Sequence, residues 1–470
     1  MKIFKNYLYN LSYQIIAIIL PLITIPYVSR ILGADLIGVN SYTNTIISYF
    51  VLLANVGLTV YGNRTISYTR DSLEERSQKF WEIMVIKILM AMISYLCFFV
   101  FTLFYSQYRF FLYIQSIQIL AVAIDISWFF TGLEDFKKTV TRNTLTKIFS
   151  TLCVFFLVKS KDDLAKYILI LTGSTLLGNL TLWTFIKTYV TSINFKKLNL
   201  YEHLKPVLIL FIPQLATTLF MTLNKLLLGN LSTISQSGYF DNADKIVRIL
   251  LTFITAVGTV IFPRLANSFK KENYEEVNSF LKLAFDSVNI IAFPMVTGVF
   301  IIGKPFSIIF FGENFKGIEI ILSILAFELV FMAWSSVLGN QFLVATNRTK
   351  GLTISVLVAT IILLLCSIIL IPKFGASGAA LTSVIGEAVI ALVQMIYVKQ
   401  VVNLKVLFSD IPKFLVCSFL MGVFCYFVGT FFVNNLLSVI VQVLIGGLSY
   451  ATFIWICKPG LLSYGAKLFK

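Results

Sequence analysis

Ten charged side chains stand inside long apolar runs of this 470-residue sequence, where they could bind a charged ligand or carry a proton or a cation. The acidic and then the basic ones are Glu82, Asp125, Asp286, Glu328, Glu387, Arg30, Lys87, Lys225, Lys245 and Arg248. A charge at the centre of a bilayer costs about 2.5 to 3.5 kcal/mol on insertion scales, so it normally faces a wet cavity or an opposite charge. The pattern predicts a polar interior within an apolar protein.

Lys225 is the clearest of the basic residues. It has apolar neighbours on both sides in the run 219–228 and no acid within one helical turn. Either it faces a cavity, or its long stem carries the ammonium group to the outer interface. Arg30 offers the same two alternatives but lies closer to the end of its apolar run.

Lys245 and Arg248 are three residues apart and therefore share one helix face, on which Asp241 and Asp244 lie one turn earlier. Two interpretations stay open. The face is either a basic inner surface that attracts phosphate oxygens, or a local ion-pair cluster at the outer mouth.

Two acids lie deep in their runs, Asp125 and Glu387. Either could pair with a lysine across a cavity or bind a coupling cation. The sequence does not separate these roles.

The remaining reactive residues argue against enzymatic chemistry. The one histidine, His203, lies in a polar connector, where we expect a solvated loop residue, and one histidine cannot build a metal site. A membrane polymerase or glycosyltransferase, the alternative from another class, needs a large external loop for its catalytic groups. The nearest candidate is the pair Asp162 and Asp163 in a small loop rich in lysine. We therefore predict no enzyme, no metal and no cofactor.

The elements that carry these residues are membrane-spanning helices, because 58% of the residues are hydrophobic and only 13% are charged. A bilayer core of about 30 Å needs about 20 apolar residues per helix. The predicted class is an all-α integral membrane protein with about 14 transmembrane helices. Approximate limits of these spans are 8–29, 39–61, 82–105, 111–131, 144–158, 166–186, 206–229, 242–263, 283–303, 318–342, 352–371, 376–398, 412–433 and 436–457.

Orientation follows from Lys and Arg, which are retained on the cytoplasmic side. With both termini cytoplasmic, about 26 of the 38 basic residues fall in cytoplasmic segments and about 8 in outer connectors. Lys196, Lys197 and Lys470 are among the cytoplasmic ones. The net charge of +16 therefore reflects membrane topology, and no nucleic-acid partner is expected.

A weak internal repeat at an offset of about 200 residues predicts two related bundles. The segment 37–64 and the segment 237–264 both start at a glycine-containing helix entrance and finish with a basic residue. We predict an N-terminal lobe at 1–200 with spans one to six, a C-terminal lobe at 201–400 with spans seven to twelve, and an appendage at 401–470 with spans 13 and 14. Such a protein transports by rocking one lobe against the other, with substrate bound between them.

Several motifs resemble a known family. The segment 125–138, DISWFFTGLEDFKK, resembles the fourth-helix signature of Wzx-type polysaccharide flippases, in the multidrug/oligosaccharidyl-lipid/polysaccharide exporter superfamily. The segments 224–229, 237–240 and 243–246 are similar to the seventh-to-eighth helix pattern, although Asn224 stands where the family commonly has Asp. The segment 374–380 with Glu387 looks like the twelfth-helix region.

This resemblance implies two six-helix lobes with two extra helices. It also implies translocation of an oligosaccharide on undecaprenyl pyrophosphate from the inner to the outer leaflet of a bacterial cell membrane, for capsule or O-antigen-like polysaccharide. A basic cavity suits the pyrophosphate, while the polyprenyl tail stays in lipid. By the resemblance, the residues expected to bind the substrate are Arg30, Lys225, Lys245, Arg248 and, by stacking on sugar, Trp128. Asp125 and Glu387 are expected in gating or ion coupling.

The implied partners are the lipid-linked oligosaccharide, membrane lipid, H+ or Na+ as coupling ion, and other polysaccharide-assembly proteins, with the chain itself a monomer. Two alternatives come from the same superfamily. A cation-coupled multidrug exporter needs a net acidic cavity, which the charges disfavour. A peptidoglycan-precursor flippase carries so similar a substrate that side-chain chemistry leaves it open.

Overall fold

The computed structural model describes residues 2–192, 198–256, 258–432 and 435–460, without the side chains of residues 2–12 and 258–260. Lys196, Lys197 and Lys470, counted above as cytoplasmic charges, lie outside these residues, as does Val257 of the predicted repeat. The chain divides into two compact units, Met1–Leu226 and Leu227–Lys470. Each is described by itself below.

The first unit is built from helices throughout its described residues, which confirms the all-α class for this part. One helix start has a clear local cause: the Ser72 hydroxyl accepts a hydrogen bond from the Glu75 N–H at 3.3 Å before the third helix. The helices are α1 Lys2–Asn55, α2 Leu58–Thr69, α3 Leu73–Phe104, α4 Arg109–Gln115, α5 Ile117–Ala123, α6 Ser127–Gly132, α7 Phe136–Leu157, α8 Leu164–Ile186 and α9 Tyr201–Leu231, whose end extends into the second unit.

The second unit is also helical in its described part. Between α14 and α15 the backbone forms a π-helix at Ser336–Leu343, a rare geometry that is frequent at functional sites. The helices are α10 Ile234–Ala256, α11 Gly258–Lys270, α12 Tyr274–Phe311, α13 Ile318–Ala326, α14 Glu328–Ser335, α15 Thr349–Val398, α16 Leu404–Leu407, α17 Ile411–Thr430 and α18 Asn435–Cys457.

The number of candidate membrane spans is close to the predicted 14, and the predicted fifth span is the one that is not apolar enough to be counted. In the described part of the chain, ten helical segments are long and apolar enough to cross a bilayer, or eleven if α10 and α11 form one bent span. Eleven become thirteen when α1 and α15 are each counted as two helices, as their internal breaks require. The predicted fifth span corresponds to α7, which begins eight residues earlier than expected, among basic residues.

Glycine makes the breaks in the two longest helices. A straight 54-residue helix would be about 80 Å long, against about 30 Å of hydrocarbon. The break in α1 lies at Gly33 (φ 73°, ψ 177°) and the break in α15 at Gly375 (φ 56°, ψ −131°). Only glycine adopts these backbone angles without strain. A Cβ built on Gly378 would lie 2.3 Å from the Leu370 carbonyl oxygen, so the chain reverses sharply at this second break.

Two predicted spans are discontinuous where the sequence suggested one regular helix. The fourth span, 111–131, consists of α4, α5 and α6. The tenth, 318–342, consists of α13, α14 and most of the π-helix. Hydropathy reports apolar length but not whether the backbone ladder continues, which is why these breaks were missed.

Candidate functional site

The fourth span is broken between α5, which ends at Ala123, and α6, which begins at Ser127. A gap of this kind frees backbone carbonyls that hydrocarbon cannot hydrate, so they need internal donors. One donor comes from α8, where the Trp183 indole N–H donates to the Ile124 carbonyl oxygen at 2.7 Å. Unwound segments of this type line ion and substrate sites in transporters.

A buried lysine and an aspartate hold the same break. The Lys87 ammonium, fully buried on α3, donates to the Asp125 carbonyl oxygen at 2.7 Å. The Asp125 carboxylate accepts from the Ser127 N–H at 2.9 Å and the Ser127 hydroxyl at 3.0 Å. The predicted site residue Asp125 therefore forms an Asx turn just before α6, a role that the Asp-Ile-Ser spacing could have indicated.

Arg142 joins this group from α7, although the sequence placed it in a cytoplasmic connector. Its Nη2 lies 3.9 Å from Asp125 Oδ1, and its Nη1 donates to the Asn179 side-chain oxygen. Asn179 in turn donates to the Ala121 carbonyl oxygen at 2.6 Å. With Lys87 and Arg142 against Asp125, the group carries one excess positive charge, which suits an anionic ligand.

Trp128 lies in the core of the first unit. Its side chain is 1% exposed, its ring stacks on Phe80 with the centroids 5.7 Å apart, and its indole N–H donates to the Asp125 carbonyl oxygen at 3.1 Å. A Cβ on Gly62 would lie 2.5 Å from the indole, so the ring is tightly enclosed. This placement gives a sugar no ring face to stack on, and the sugar-contact role gains no support from it.

The prediction that His203 is a solvated loop residue is wrong. The imidazole is fully buried, with Nδ1 2.7 Å from the Tyr61 hydroxyl and Nε2 2.8 Å from Glu82 Oε2. Glu82 is buried as well and accepts a hydrogen bond from the Asn199 N–H at 2.9 Å. These contacts join residues more than 100 positions apart, so no local pattern announces them. They fasten the first turn of α9, and Asn199 just before it, to α2 and α3.

In the second unit, the two cations predicted on α10 form ion pairs along one helix face. Lys245 Nζ lies 2.5 Å from Asp241 Oδ2, and Arg248 Nε lies 2.8 Å from Asp244 Oδ1. Both carboxylates are buried, whereas the Lys245 and Arg248 side chains stay 37% and 35% exposed. These are the local ion pairs of one of the two interpretations that the sequence left open, and both have i, i+4 spacing.

Arg248 and Glu387, both predicted site residues, are brought together with two further acids. The guanidinium interacts electrostatically with Asp244, with Glu328 at the start of α14, and with Glu387 on α15. The Ser383 hydroxyl donates to the Glu328 carboxyl group. Glu328 had no assigned role in the sequence, because only the packing of α10 against α14 and α15 reveals its neighbours. We call Asp244, Arg248, Glu328 and Glu387 the α10 charge cluster.

Arg30 and Lys225 occupy different environments in the first unit. Arg30 is exposed, three residues before the Gly33 break, and Lys225 is partly buried on α9. Both have interaction partners. The geometry thus places Arg248 and Glu387 in the α10 charge cluster and Asp125 and Trp128 at the broken fourth span. Lys245 pairs with Asp241 on α10, and Arg30 and Lys225 lie apart from both groups.

The sequence of this chain is similar to those of known proteins. A family model described as polysaccharide biosynthesis protein matches residues 3–269. The chain is 25% identical over 383 residues to a Shigella dysenteriae protein named as an O-antigen transporter, which covers 81% of this chain and 96% of that protein.

Solved structures of two membrane transporters have a fold similar to that of this chain. A structure of the lipid II flippase MurJ in an inward closed conformation aligns with a TM-score of 0.76 at 18% identity, covering 97% of this chain and all of that chain. An inward-facing multidrug resistance MATE transporter aligns with a TM-score of 0.61 at 16% identity, covering 84% and 95%. The predicted resemblance to Wzx-type polysaccharide flippases is confirmed, and the chain belongs to the polysaccharide biosynthesis protein family of membrane transporters.

Proposed function

We propose that this protein flips an oligosaccharide linked to undecaprenyl pyrophosphate from the inner to the outer leaflet of a bacterial cell membrane. The observation that carries the proposal is a set of cations on membrane-spanning helices whose side chains are not enclosed by protein. Arg30 is exposed, and Lys225, Lys245 and Arg248 are partly exposed. Such charges are tolerated in a membrane when they face water or an anion, and a pyrophosphate supplies the anion.

The polyprenyl tail needs an apolar path, for which the second unit offers a candidate. A cavity of about 490 Å³ lies among α12, α17 and α18, lined by Ile290, Pro294, Met421 and Val443 among other residues. Its small residues, such as Gly446, leave room for an isoprenoid chain. We propose that part of the tail lies along this cavity while the rest stays in lipid, and that the pyrophosphate binds cations that neighbouring carboxylates do not outweigh, of which Lys225 is tested below.

Movement would follow alternating access. The division of the chain into two compact units supports two lobes that rock against each other, as in transporters built from repeats. We retain the lobes 1–200 and 201–400 and the appendage 401–470 as part of this proposal.

The α10 charge cluster is our candidate for ion coupling. Its three carboxylates and one guanidinium would carry two excess negative charges if all were ionised, and all three carboxylates are buried. A bound proton or Na+ ion reduces this excess to one negative charge. Release of this ion on one side of the membrane would then favour one conformation over the other.

Lys225→Ala tests the headgroup assignment. We expect at least a ten-fold slower translocation of a fluorescent pyrophosphate-linked oligosaccharide in proteoliposomes, because a charge-assisted contact to phosphate contributes about 1.5 to 3 kcal/mol. Lys225→Arg keeps the charge and should retain most of the rate. An unchanged rate for Lys225→Ala in correctly inserted protein would assign this lysine to the interface.

A peptidoglycan-precursor flippase is the second candidate, favoured by the fold of the lipid II flippase MurJ. In cells without this protein, we expect lipid-linked polysaccharide repeat units to accumulate on the inner leaflet while lipid II reaches the outer leaflet normally. Normal polysaccharide export together with accumulation of lipid II on the inner leaflet would favour the peptidoglycan-precursor flippase instead.

A further inference from the structure

A groove between α7 and α8 in the first unit is not used by the proposed transport path. It encloses about 470 Å³, and its charged lining residues are Lys137, Lys138, Arg142 and Asp135. When Asp125, which lies near Arg142 but does not line the groove, is included, three cations against two carboxylates leave one excess positive charge. Further along α7, its walls become apolar through Leu145 and Leu182.

The residues that line the groove recur with helical spacing, so they lie on the facing surfaces of α7 and α8. On α7, the residues at 138, 142 and 146 are four apart and therefore form one stripe, and on α8 the residues at 178, 181, 182 and 185 do the same. Gly178 allows α7 and α8 to pack closely beside the groove, because a Cβ there would lie 2.4 Å from the Thr146 hydroxyl oxygen. The sequence thus builds a narrow basic slot between two packed helices.

Two of the cations have capacity for an additional anion. Lys138 is already paired with Asp135 and donates to the Tyr189 hydroxyl at 2.6 Å. Lys137 is exposed at the rim. Arg142 has a buried Nε–H without a hydrogen-bond acceptor among the described residues. The buried Nε–H is out of reach of a ligand, so an anion in the groove would meet Arg142 through the part of its side chain that lines the groove, beside Lys137 and Lys138.

The surfaces on either side of the groove are apolar and exposed. On α7 the side chains of Phe149, Leu152 and Phe156 are exposed, and on α8 those of Leu177 and Leu180 are. In a membrane protein such surfaces contact acyl chains. The groove therefore places a basic slot next to lipid, at the helix ends that the charge distribution predicts to be cytoplasmic.

We propose that this groove binds the phosphate of an anionic membrane phospholipid, with its acyl chains along the exposed faces of α7 and α8. Basic pockets between transmembrane helices on the cytoplasmic side bind anionic headgroups in this way. Because Arg142 also contacts Asp125, the bound lipid would stabilise the helix that supports the broken fourth span. This proposal does not rest on the identity of the transported substrate.

Native mass spectrometry of the full-length purified protein tests the site, with phosphatidylglycerol or phosphatidylcholine added. We expect wild-type protein to retain one phosphatidylglycerol in preference to phosphatidylcholine. Lys137→Gln should weaken this retention about five-fold, the factor that corresponds to about 1 kcal/mol per basic residue near a membrane surface. Thr181→Phe fills the groove without changing its charge and should abolish the retention.

Lys147→Gln is the matched control. Lys147 also lies on α7, but its ammonium sits 5.3 Å from the centre of the Tyr13 ring and does not line the groove. Equal losses for Lys137→Gln and Lys147→Gln would replace the site with general electrostatic attraction, and full retention in Thr181→Phe would place the lipid elsewhere. Displacement by inorganic phosphate would make it a site for free phosphate, and displacement by undecaprenyl pyrophosphate would make it part of the substrate path. Each of these four results would overturn the proposal.

Discussion

At the scale of single residues, buried polar side chains in this protein are satisfied by partners distant in sequence. Lys87 and Glu82 are five positions apart on α3 and do not pair with each other. Lys87 donates to the Asp125 carbonyl oxygen, and Glu82 contacts His203. A buried group without such a partner would cost about 1 to 3 kcal/mol or more, so these residues support the fold as well as the site.

Lys87→Met should destabilise the protein by about 1 to 3 kcal/mol, because it removes a donor from the carbonyl group at the helix break. The measurement is the midpoint of thermal unfolding in detergent. Lys187→Met, at an exposed position, is the control and should leave the midpoint unchanged. Equal midpoints for both variants would show that the ammonium does not stabilise the break.

His203→Ala should loosen the connector before α9, because the Tyr61 hydroxyl and Glu82 each lose a partner. We expect faster proteolytic cleavage between α8 and α9 and a lower unfolding midpoint, by about 1 to 3 kcal/mol in free energy. Tyr201→Ala changes an exposed side chain in the same turn and serves as the control. Identical cleavage of the two variants would argue against a fastening role.

At the scale of elements, glycine and unwound backbone decide where the long helices break. Both glycine breaks lie in conformations that are closed to other residues, and the second is also crowded. A Cβ on Gly375 would lie 2.9 Å from the Gln236 side-chain oxygen, which accepts a hydrogen bond from the Ala376 N–H at 2.8 Å. The break is thus fixed by α10 as well as by its own backbone.

Gly375→Ala should therefore destabilise the second unit by about 1 to 3 kcal/mol, the cost of forcing a side chain into this backbone region. The yield of monodisperse protein in size-exclusion chromatography and the unfolding midpoint measure it. Gly173→Ala is the matched control, since a Cβ there meets no atom within 4 Å. An unfolding midpoint equal to that of the wild type would show that the backbone at residue 375 can accommodate a side chain without strain.

At the scale of the whole molecule, the distribution of charge is the basis of our predictions for orientation and for energy coupling. The basic residues predict cytoplasmic termini, and the α10 charge cluster offers one buried group whose balance depends on a bound proton or cation. These two features would together determine the direction in which a substrate is moved.

Glu387→Gln should uncouple transport from the ion gradient, because it removes one of the carboxylates next to Arg248. In proteoliposomes, we expect an imposed H+ or Na+ gradient to accelerate wild-type flipping and to have little effect on the variant. Glu313→Gln, at an exposed position, should respond as wild type does. A full gradient response in Glu387→Gln would remove this carboxylate from the coupling step.

A reporter fused after Lys470 tests the predicted orientation. We expect a fluorescent protein to be bright there and alkaline phosphatase to be inactive, because positively charged connectors stay in the cytoplasm. Active phosphatase would place the C-terminus outside and invert the whole topology.

The sequence by itself determined the membrane class, the approximate spans and the family. Apolar run length is a local property, and the 125–138 segment is contiguous, so neither needs a tertiary contact to be recognised. The ion pairs along α10 were predictable for the same reason, since i, i+4 spacing fixes them.

Only the tertiary structure decided which polar residues are buried and which of them meet. His203 and Trp128 took on buried positions, and Arg142 joined Asp125, through contacts between helices far apart in the chain. The acids around Arg248 come from three different helices, and no sequence period relates them. Hydropathy measures how apolar a segment is, whereas burial and pairing depend on which helices pack against it.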